Sequence, residues 1–375
     1  MYTISTTAER LPNFRHAKSL IQMLKGRGAH IQPANRFLAQ RLEADFELVA
    51  EDEEYLAALG RPPTEYLPDT SESIVTENDS PDIGFRYSIN PYRGCAHGCS
   101  YCYARPYHEY LGFSAGLDFE TKVLVKHKAP ELFRDWLARP SWQPETISFS
   151  GITDCYQPAE REYRLTRRSL EVAAECRQPV GVITKNALIT RDLDVLQRLA
   201  AHRTIRVGIS ITTLDTGLAR AMEPRTSSPE ARLRTIRQLT AAGIPTQLML
   251  APVIPGLNDS EIPAILSAAR DAGAEAAGYV LLKLPQSVRE IFLNWLERSY
   301  PDRAGRIESL IRSTRDGRLH DSQFGRRQVG TGNIAELIAD TFSLWRKRLG
   351  YREELEPLNR EAFLPPPTTG QLRLF

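Results

Sequence analysis

Cys95, Cys99 and Cys102 lie in the run Asn90-Pro-Tyr-Arg-Gly-Cys-Ala-His-Gly-Cys-Ser-Tyr-Cys-Tyr-Ala-Arg105, with the spacing C-x3-C-x2-C. Three thiolates on one short loop can hold three irons of a [4Fe–4S] cluster and leave the fourth iron open. Electron-transfer clusters ordinarily use four cysteines. An open iron can bind an external molecule. The same thiols have a second reading, a zinc site completed by His97, His108 or Cys155. Zinc sites usually present two paired ligand sets, which this chain lacks.

The elements that must carry this loop come from a chain of 375 residues, 42% hydrophobic, long enough for one large domain or two medium ones. Lys+Arg 48 against Asp+Glu 46 leaves a net charge of +2, which neither demands nor excludes a nucleic-acid partner. Five cysteines, an odd number, are no disulfide framework and suit a reducing compartment. Cys155 and Cys176 stand apart from the other three, so no second cluster is expected. No apolar run reaches the ~20 residues of a membrane span, and Met1–Leu20 shows no signal peptide. The chain reads as cytoplasmic, with no membrane partner.

Residues 1–82 differ from the rest, with Pro, Thr, Ser and acidic residues dominant from Glu51 to Asp82. They read as an N-terminal extension, partly extended or disordered, with one short helix around Phe37–Leu48. Such an extension is either a tail or a strap over the main domain. From Phe85, apolar runs alternate with helical periods. Strands are expected at Phe85–Asn90, Thr146–Phe149, Val180–Thr184, Ile205–Ile211, Pro245–Pro252 and Ala276–Leu282. Helices are expected through Leu111 and at Pro130–Ala138, Thr166–Cys176, Arg191–Ala201, Pro229–Ala242, Glu261–Ala272 and Val288–Tyr300, with Asp118–Lys128 as a connection. Thr190, Ser228 and Asp259 stand where helices start, and Gly243 and Gly273 where they end. Six β–α repeats predict an α/β fold, a partial (β/α)6 TIM-type barrel over residues 83–300 with its helices outside. Residues 301–375 add a basic helical extension, including Ile334–Leu349, that ends in the loop-like Pro365-Pro-Pro-Thr-Thr.

In a (β/α) barrel, chemistry gathers at the C-terminal ends of the strands. At that rim the sequence places the cysteine loop, Gly151–Pro158, Thr184-Lys-Asn186, Ser210–Asp215, Ala251–Asp259 and Lys283. Polar and glycine residues recur there each time, which a purely structural barrel does not require.

The cysteine loop resembles the signature of the radical S-adenosylmethionine (SAM) superfamily. From about Thr64 to Gly350 the chain is similar to a subgroup related to spore photoproduct lyase and labelled DNA repair photolyase-like. The strings that carry this are Asp82–Arg105, His108–Gly112, Leu117–Thr121, Thr153–Glu160, Ile183–Leu193, Ser210–Asp215 and Ala251–Asp259. The resemblance implies a [4Fe–4S] cluster on Cys95, Cys99 and Cys102, whose open iron chelates the amino and carboxylate groups of SAM. It implies reductive cleavage of SAM to a 5′-deoxyadenosyl radical, hydrogen abstraction from an unidentified substrate, and a low-potential electron donor such as flavodoxin or ferredoxin. The cofactors carry the hard chemistry. By the same resemblance, the Tyr101 backbone meets the SAM adenine, and Thr153 and Asp154 replace a Gly-Gly-Glu string that meets the SAM amino group. Lys185 and Ser210 reach the carboxylate and ribose, Thr212 is a further contact of that kind, and Ala251 offers a backbone contact to the adenine. Asp154 also reads as a turn cap, and Lys185 as a solvated strand-end lysine.

Spore photoproduct lyase repairs a thymine dimer in DNA with a cysteine as hydrogen-atom donor. The matching position here is Gly151, and the nearest thiol is Cys155, four residues on. Tyr101 and Tyr103 flank the last cluster cysteine, as do the tyrosines of the lyase's radical relay. Cys155 and Tyr103 are accordingly the candidate catalytic residues, and the relay is incomplete. A DNA lesion is one expected substrate; RNA, a protein side chain or a small metabolite is the other class. Arg203, Arg206, Arg220, Arg225, Arg232, Arg234 and Arg237, and then Arg312, Arg315, Arg318, Arg326, Arg327, Arg346 and Lys347, supply charge for phosphates, with acids interspersed. The rival is a zinc-stabilised nucleic-acid-binding module without catalysis, colourless and unable to bind SAM.

Overall fold

A parallel sheet covered by helices needs strands that are apolar on both faces. Val180–Thr184 and Ile205–Ser210 meet this demand, with all but one residue of each buried. The computed structural model describes residues 2–4, 26–38, 42–44 and 62–367. Its six parallel strands are β1 (Tyr87–Ile89), β2 (Ile147–Phe149), β3 (Val180–Thr184), β4 (Ile205–Ser210), β5 (Thr246–Val253) and β6 (Ala276–Leu281). They lie side by side in sequence order, and Val75–Glu77 pairs antiparallel outside β1. Among the described residues no ladder joins β6 to that edge, so the barrel is partial and open.

The intervening helices are α1 (Ala129–Leu137), α2 (Leu165–Cys176), α3 (Leu193–Ala201), α4 (Pro229–Ala241) and α5 (Ile262–Asp271), with α6 (Val288–Ser299) after β6. Beyond them lie α7 (Ala304–Ser313) and α8 (Asn333–Arg348). α5 shows why they dock: Ile262, Ile265, Leu266 and Ala269 form one buried stripe. Phe133 of α1 meets Phe149 of β2 edge-on, with ring centroids 6.1 Å apart. Barrel strands and outer helices fall within two residues of the expected bounds. Ser228 caps α4, its Oγ accepting from Ala231 N at 3.3 Å. Gly243 and Gly273 take left-handed φ of 77° and 104° after their helices. Among the described residues no helix is long and apolar enough to cross a membrane.

Several local expectations are corrected. Thr190 does not cap; Asn186 does, accepting from Leu188 N at 3.0 Å at the start of the 3-10 turn Ala187–Asp192. Asp259 instead accepts from Gly256 N at 3.0 Å within the preceding turn. A short helix, Thr216–Met222, follows β4 and is capped by Asp215. Asp118–Lys128 is not a plain connection: Leu117–Thr121 is helical, and Lys122–Val125 is a strand. That strand pairs with Glu65–Pro68 and with Tyr92–Arg93, joining the extension to the start of the cysteine loop. The helix expected around Phe37–Leu48 is not formed by its described residues. Asn35 Oδ1 accepts from Phe37 N at 2.8 Å in an Asx turn, and 42–44 pair with 2–4 as strands. The rest of that segment, most of the extension and residues 368–375 lie outside the described residues.

Candidate active site

The chain leaves β1 and turns into the cysteine loop through two left-handed glycines, Gly94 (φ 77°) and Gly98 (φ 68°). Only glycine holds such angles without strain, and a Cβ on Gly98 would lie 2.6 Å from Arg27 Cβ. Cys95 N donates to Phe119 O at 2.9 Å, Gly98 N to Cys95 O at 3.2 Å, and Cys102 N to Cys99 O at 3.4 Å. Cys95 and Cys99 are buried, Cys102 is half-buried, and all three are free thiols. Burial pushes each thiol up, and for Cys95 and Cys99 neighbouring thiols and acids add to it. Iron binding therefore has to displace protons.

Behind the loop sits Arg105, fully buried. Its guanidinium donates to Cys99 O at 2.9 and 3.0 Å, to Gly116 O at 2.8 Å and to Ala115 O at 3.1 Å. It also pairs with Glu120 at 2.7 Å, likewise buried. Glu120 in turn accepts the backbone N–H groups of Arg27, Gly28 and Ala29. The described part of the extension thus straps the back of the loop, and a Cβ on Gly28 would lie 1.9 Å from Gly98 O.

The residues named to complete a zinc site are engaged elsewhere. His97 Nδ1 lies 3.5 Å from Asp154 Oδ2, and its Nε2 lies 3.1 Å from Asn186 Nδ2. His108 stacks on Phe113 at 5.1 Å, and burial lowers its pKa to about 4. Among the described residues no three His, Cys, Asp or Glu side chains group as a metal ion requires. Three soft thiolates on one loop fit a cluster that gives each its own iron.

On the β2–β5 flank of the rim the polar groups answer one another. Asp154 accepts from Lys185 N at 2.8 Å, from Thr184 Oγ1 at 2.8 Å and from Tyr156 N at 2.9 Å, the last an Asx turn. Lys185 Nζ donates to Ala251 O at 3.1 Å and lies 6.0 Å from the Tyr101 ring centroid. Ala251 stands where the β5–β6 register shifts, between Leu250 and Val253. Tyr101 and Thr212 both donate their hydroxyls to Glu223. Arg232 pairs with Glu223 and donates to Ser210 O at 3.0 Å and Ser227 O at 2.8 Å. Burial opposes the charge on Glu223, but Arg232, Lys185 and the two hydroxyls outweigh it and hold its carboxyl at about 2. Glu223, Arg105 and Glu120 carry no site role in the sequence, and Arg232, expected as a phosphate ligand, is instead bound to Glu223 and two carbonyls. The nine-residue step from Glu223 to Arg232 gives no periodic signal, because a loop and a helix start intervene.

On the β1 flank, Thr153 Oγ1 donates to Tyr92 O at 2.9 Å and accepts from Asn90 Nδ2 at 2.7 Å. Tyr103 is 39% exposed, its hydroxyl donates to Gly151 O at 3.0 Å, and Lys283 Nζ lies 4.7 Å from its ring centroid. A Cβ on Gly151 would lie 2.8 Å from Ser88 Cβ, so the strand beside it leaves no room for a cysteine. Cys155 is not brought to Tyr103. It is 0% exposed, in the core cluster that holds Phe149, Tyr156 and Leu170. Ser150, at φ 72°, turns the chain inward and its Oγ accepts from Cys155 N at 2.8 Å. The expected hydrogen-donor role for Cys155 has no support in that placement. A cavity of about 260 Å³ opens between β1, the Val75–Glu77 edge and the Arg105–Leu111 turn.

Several of the arginines read as phosphate ligands are answered within the chain. Besides Arg232, Arg234 meets Glu230 at 3.1 Å, Arg312 meets Glu308 at 2.7 Å, Arg326 meets Asp316, and Arg327 meets Asp82 at 2.5 Å. Arg315 is buried and donates to Leu282 O at 3.0 Å.

The chain matches the Radical SAM superfamily over residues 89–269. An uncharacterized protein of Mycobacterium tuberculosis is 40% identical over 286 residues, 76% of this chain and 81% of its own length. The chain belongs to the radical SAM superfamily. An uncharacterized protein of Methanocaldococcus jannaschii is 30% identical over 178 residues, 48% of this chain and 64% of its own length. Among solved structures, spore photoproduct lyase complexed with dinucleoside spore photoproduct gives a TM-score of 0.56 at 16% identity, covering 76% of this chain and 80% of that one. At that identity the likeness is one of fold, the partial barrel. Radical SAM proteins generally use a [4Fe–4S] cluster and SAM, and the thiol set described above fits such a cluster.

Proposed function

We propose that this radical SAM enzyme binds a [4Fe–4S] cluster through Cys95, Cys99 and Cys102 and uses SAM to abstract hydrogen from a substrate. The observation that carries the reading is the convergence of Asp154, Lys185, Tyr101 and Ala251 beside the three-thiol loop. A bound and reduced cluster supplies the electron that cleaves SAM to methionine and a 5′-deoxyadenosyl radical. The chain's part is to hold and orient SAM. The Lys185 ammonium, in reach of Ala251 O, meets the SAM carboxylate, and the Asp154 carboxylate accepts from the SAM ammonium. Ser210 and Thr212 contact the ribose side, and the backbone of Tyr101 and Ala251 contacts the adenine. Arg232 and Glu223 position Ser210, Thr212 and Tyr101 from behind.

In this reading Tyr103, part-exposed at the mouth, relays a hydrogen atom to or from the substrate; its exposure supports that role. Gly151 carries no thiol and has no space for one, which supports chemistry other than thiol-terminated photoproduct cleavage. A nucleic-acid lesion stays within the reading, because the fold is shared with a lyase complexed with a dinucleoside photoproduct.

The test is anaerobic. The protein is reconstituted with iron and sulfide, given SAM and a strong reductant, and assayed for 5′-deoxyadenosine. Product well above the Cys99→Ala control is expected, with iron lost in that variant. Equal product and iron content in the two proteins would reject the ligand set. Colourless protein that binds zinc and no SAM after anaerobic purification would turn the reading to a zinc module.

A further inference from the structure

The cavity on the β1 flank carries a cation for which the roles above have no use. Lys126 lines it and is 8% exposed, and among the described residues its ammonium makes no ion pair. The backbone fixes its place: Lys126 N donates to Pro91 O at 2.9 Å, directly after the Lys122–Val125 strand. The other cation on this wall, Arg93, is already taken, with Nε 3.0 Å from Asp69 and Nη2 donating to Ser71 Oγ at 2.6 Å. One carboxylate thus faces two cations. The remaining titratable groups of the wall are the imidazole of His108 and the phenols of Tyr92, Tyr107 and Tyr110, none of them an acid that pairs with an ammonium. Burial and then Arg93 lower Lys126 to about 8, against the opposing pull of Asp69. A buried charge without a partner is costly, and an anion beside it removes that cost. The space of about 260 Å³ takes a small anionic arm and not a folded segment.

We propose that this cavity is an anion subsite, in which Lys126 holds a phosphate or carboxylate group carried by the substrate. The proposal rests on the radical SAM reading only in calling the bound molecule a substrate. The subsite adjoins the reacting region through Gly151 and Thr153 at the end of β2, so an anion on Lys126 would orient the rest of the molecule toward the loop.

The test uses the full chain, reductively ¹³C-methylated on its lysines and followed by NMR, with Lys126→Gln assigning the signal. Inorganic phosphate and acetate are the probes, in separate titrations. A saturable shift of Lys126, with its pKa raised, is expected with one of them. Phosphate alone assigns a phosphoryl group and acetate alone a carboxyl group. Lys126→Gln is expected to weaken that binding about tenfold or more, while Lys126→Arg retains it. No saturable shift with either anion overturns the subsite, and this wild-type result decides even if Lys126→Gln does not fold. Binding that is unchanged in Lys126→Gln also overturns it. The 5′-deoxyadenosine assay on wild-type protein separates the two claims. Its failure with anion binding intact rejects the radical reading alone, and the reverse rejects the subsite alone.

Discussion

Arg232 and Lys126 are both buried cations, one on the β4 flank of the barrel mouth and one beyond β1. Every nitrogen of the Arg232 guanidinium has a partner, among Glu223, two carbonyls and Thr226. Lys126 shares a single carboxylate with Arg93 and touches it only through space. The contrast separates two kinds of site. Where buried polar groups satisfy one another, the geometry is set before any ligand arrives, which is what positioning a cofactor requires. Where one charge is left over, the ligand completes the set.

The sharpest break of this comparison is Arg232→Met. It strands the Glu223 carboxylate in the interior, and a loss of about 3–5 kcal/mol is expected in denaturant melts. Glu223→Gln should cost less, because the stranded Arg232 keeps its bonds to Ser210 O, Ser227 O and Thr226. The pH dependence has a definite sign. Glu223 sits at about 2 against its ordinary 4.5, so its contribution is full above 4.5 and is lost as pH falls toward 2. Acid melts of Glu223→Gln should therefore be flatter than wild type in that window.

Lys185→Ala tests the cofactor flank from the ligand side. SAM affinity should fall about tenfold to a hundredfold, the size of a charged hydrogen bond of roughly 1.5–3 kcal/mol, with iron content unchanged. Equal affinity by equilibrium dialysis would remove Lys185 from the SAM site.

Lys126→Met should move stability the other way. The Lys126 value of about 8 lies below the ordinary 10.5, so the folded protein holds its proton less tightly than the unfolded chain does. The penalty is full below 8 and fades as pH rises from 8 to 10.5. A gain of about 1–3 kcal/mol at neutral pH, shrinking across that window, is the expected melt result. A loss of stability would mean that Lys126 is answered within the chain.

The smallest effect is reserved for Cys155→Ala. Removing a buried sulfur should cost about 1–2 kcal/mol and leave 5′-deoxyadenosine formation intact. A variant of normal stability with altered product on a true substrate would restore Cys155 as a hydrogen donor.

The framework of the barrel was legible because each strand and helix announces itself locally, as Val180–Thr184 does by its apolar run and α5 by its buried stripe. The cysteine loop was legible because its ligands are close in sequence. The partners of that loop were not. Glu120 joins Arg105 to residues 27–29, a pairing across more than ninety positions that no local period reports. Lys126 falls inside the expected connection Asp118–Lys128, and nothing in the sequence shows that Arg93 has claimed Asp69. The cap expected at Thr190 failed because Asn186, four residues earlier, starts a tighter turn that carries Thr190 inside it, where its hydroxyl donates to Ala187 O. Cys155 was expected near the mouth because it is the thiol nearest to Gly151 in sequence, but distance along the chain does not report burial, and its side chain lies in the core.

The open seam of the sheet also has a mechanical meaning. Along the free edge of β6 runs Gln328, whose carbonyl accepts from Leu281 N at 2.9 Å. Next to it Arg327 reaches across to Asp82, ahead of β1, with bonds of 2.5 and 2.8 Å. A closed barrel is fastened there by a row of backbone hydrogen bonds, which yield together or not at all. Here a backbone bond and a largely buried ion pair hold the seam. Among the described residues, fewer bonds therefore join the two sides of this seam than join neighbouring strands such as β3 and β4.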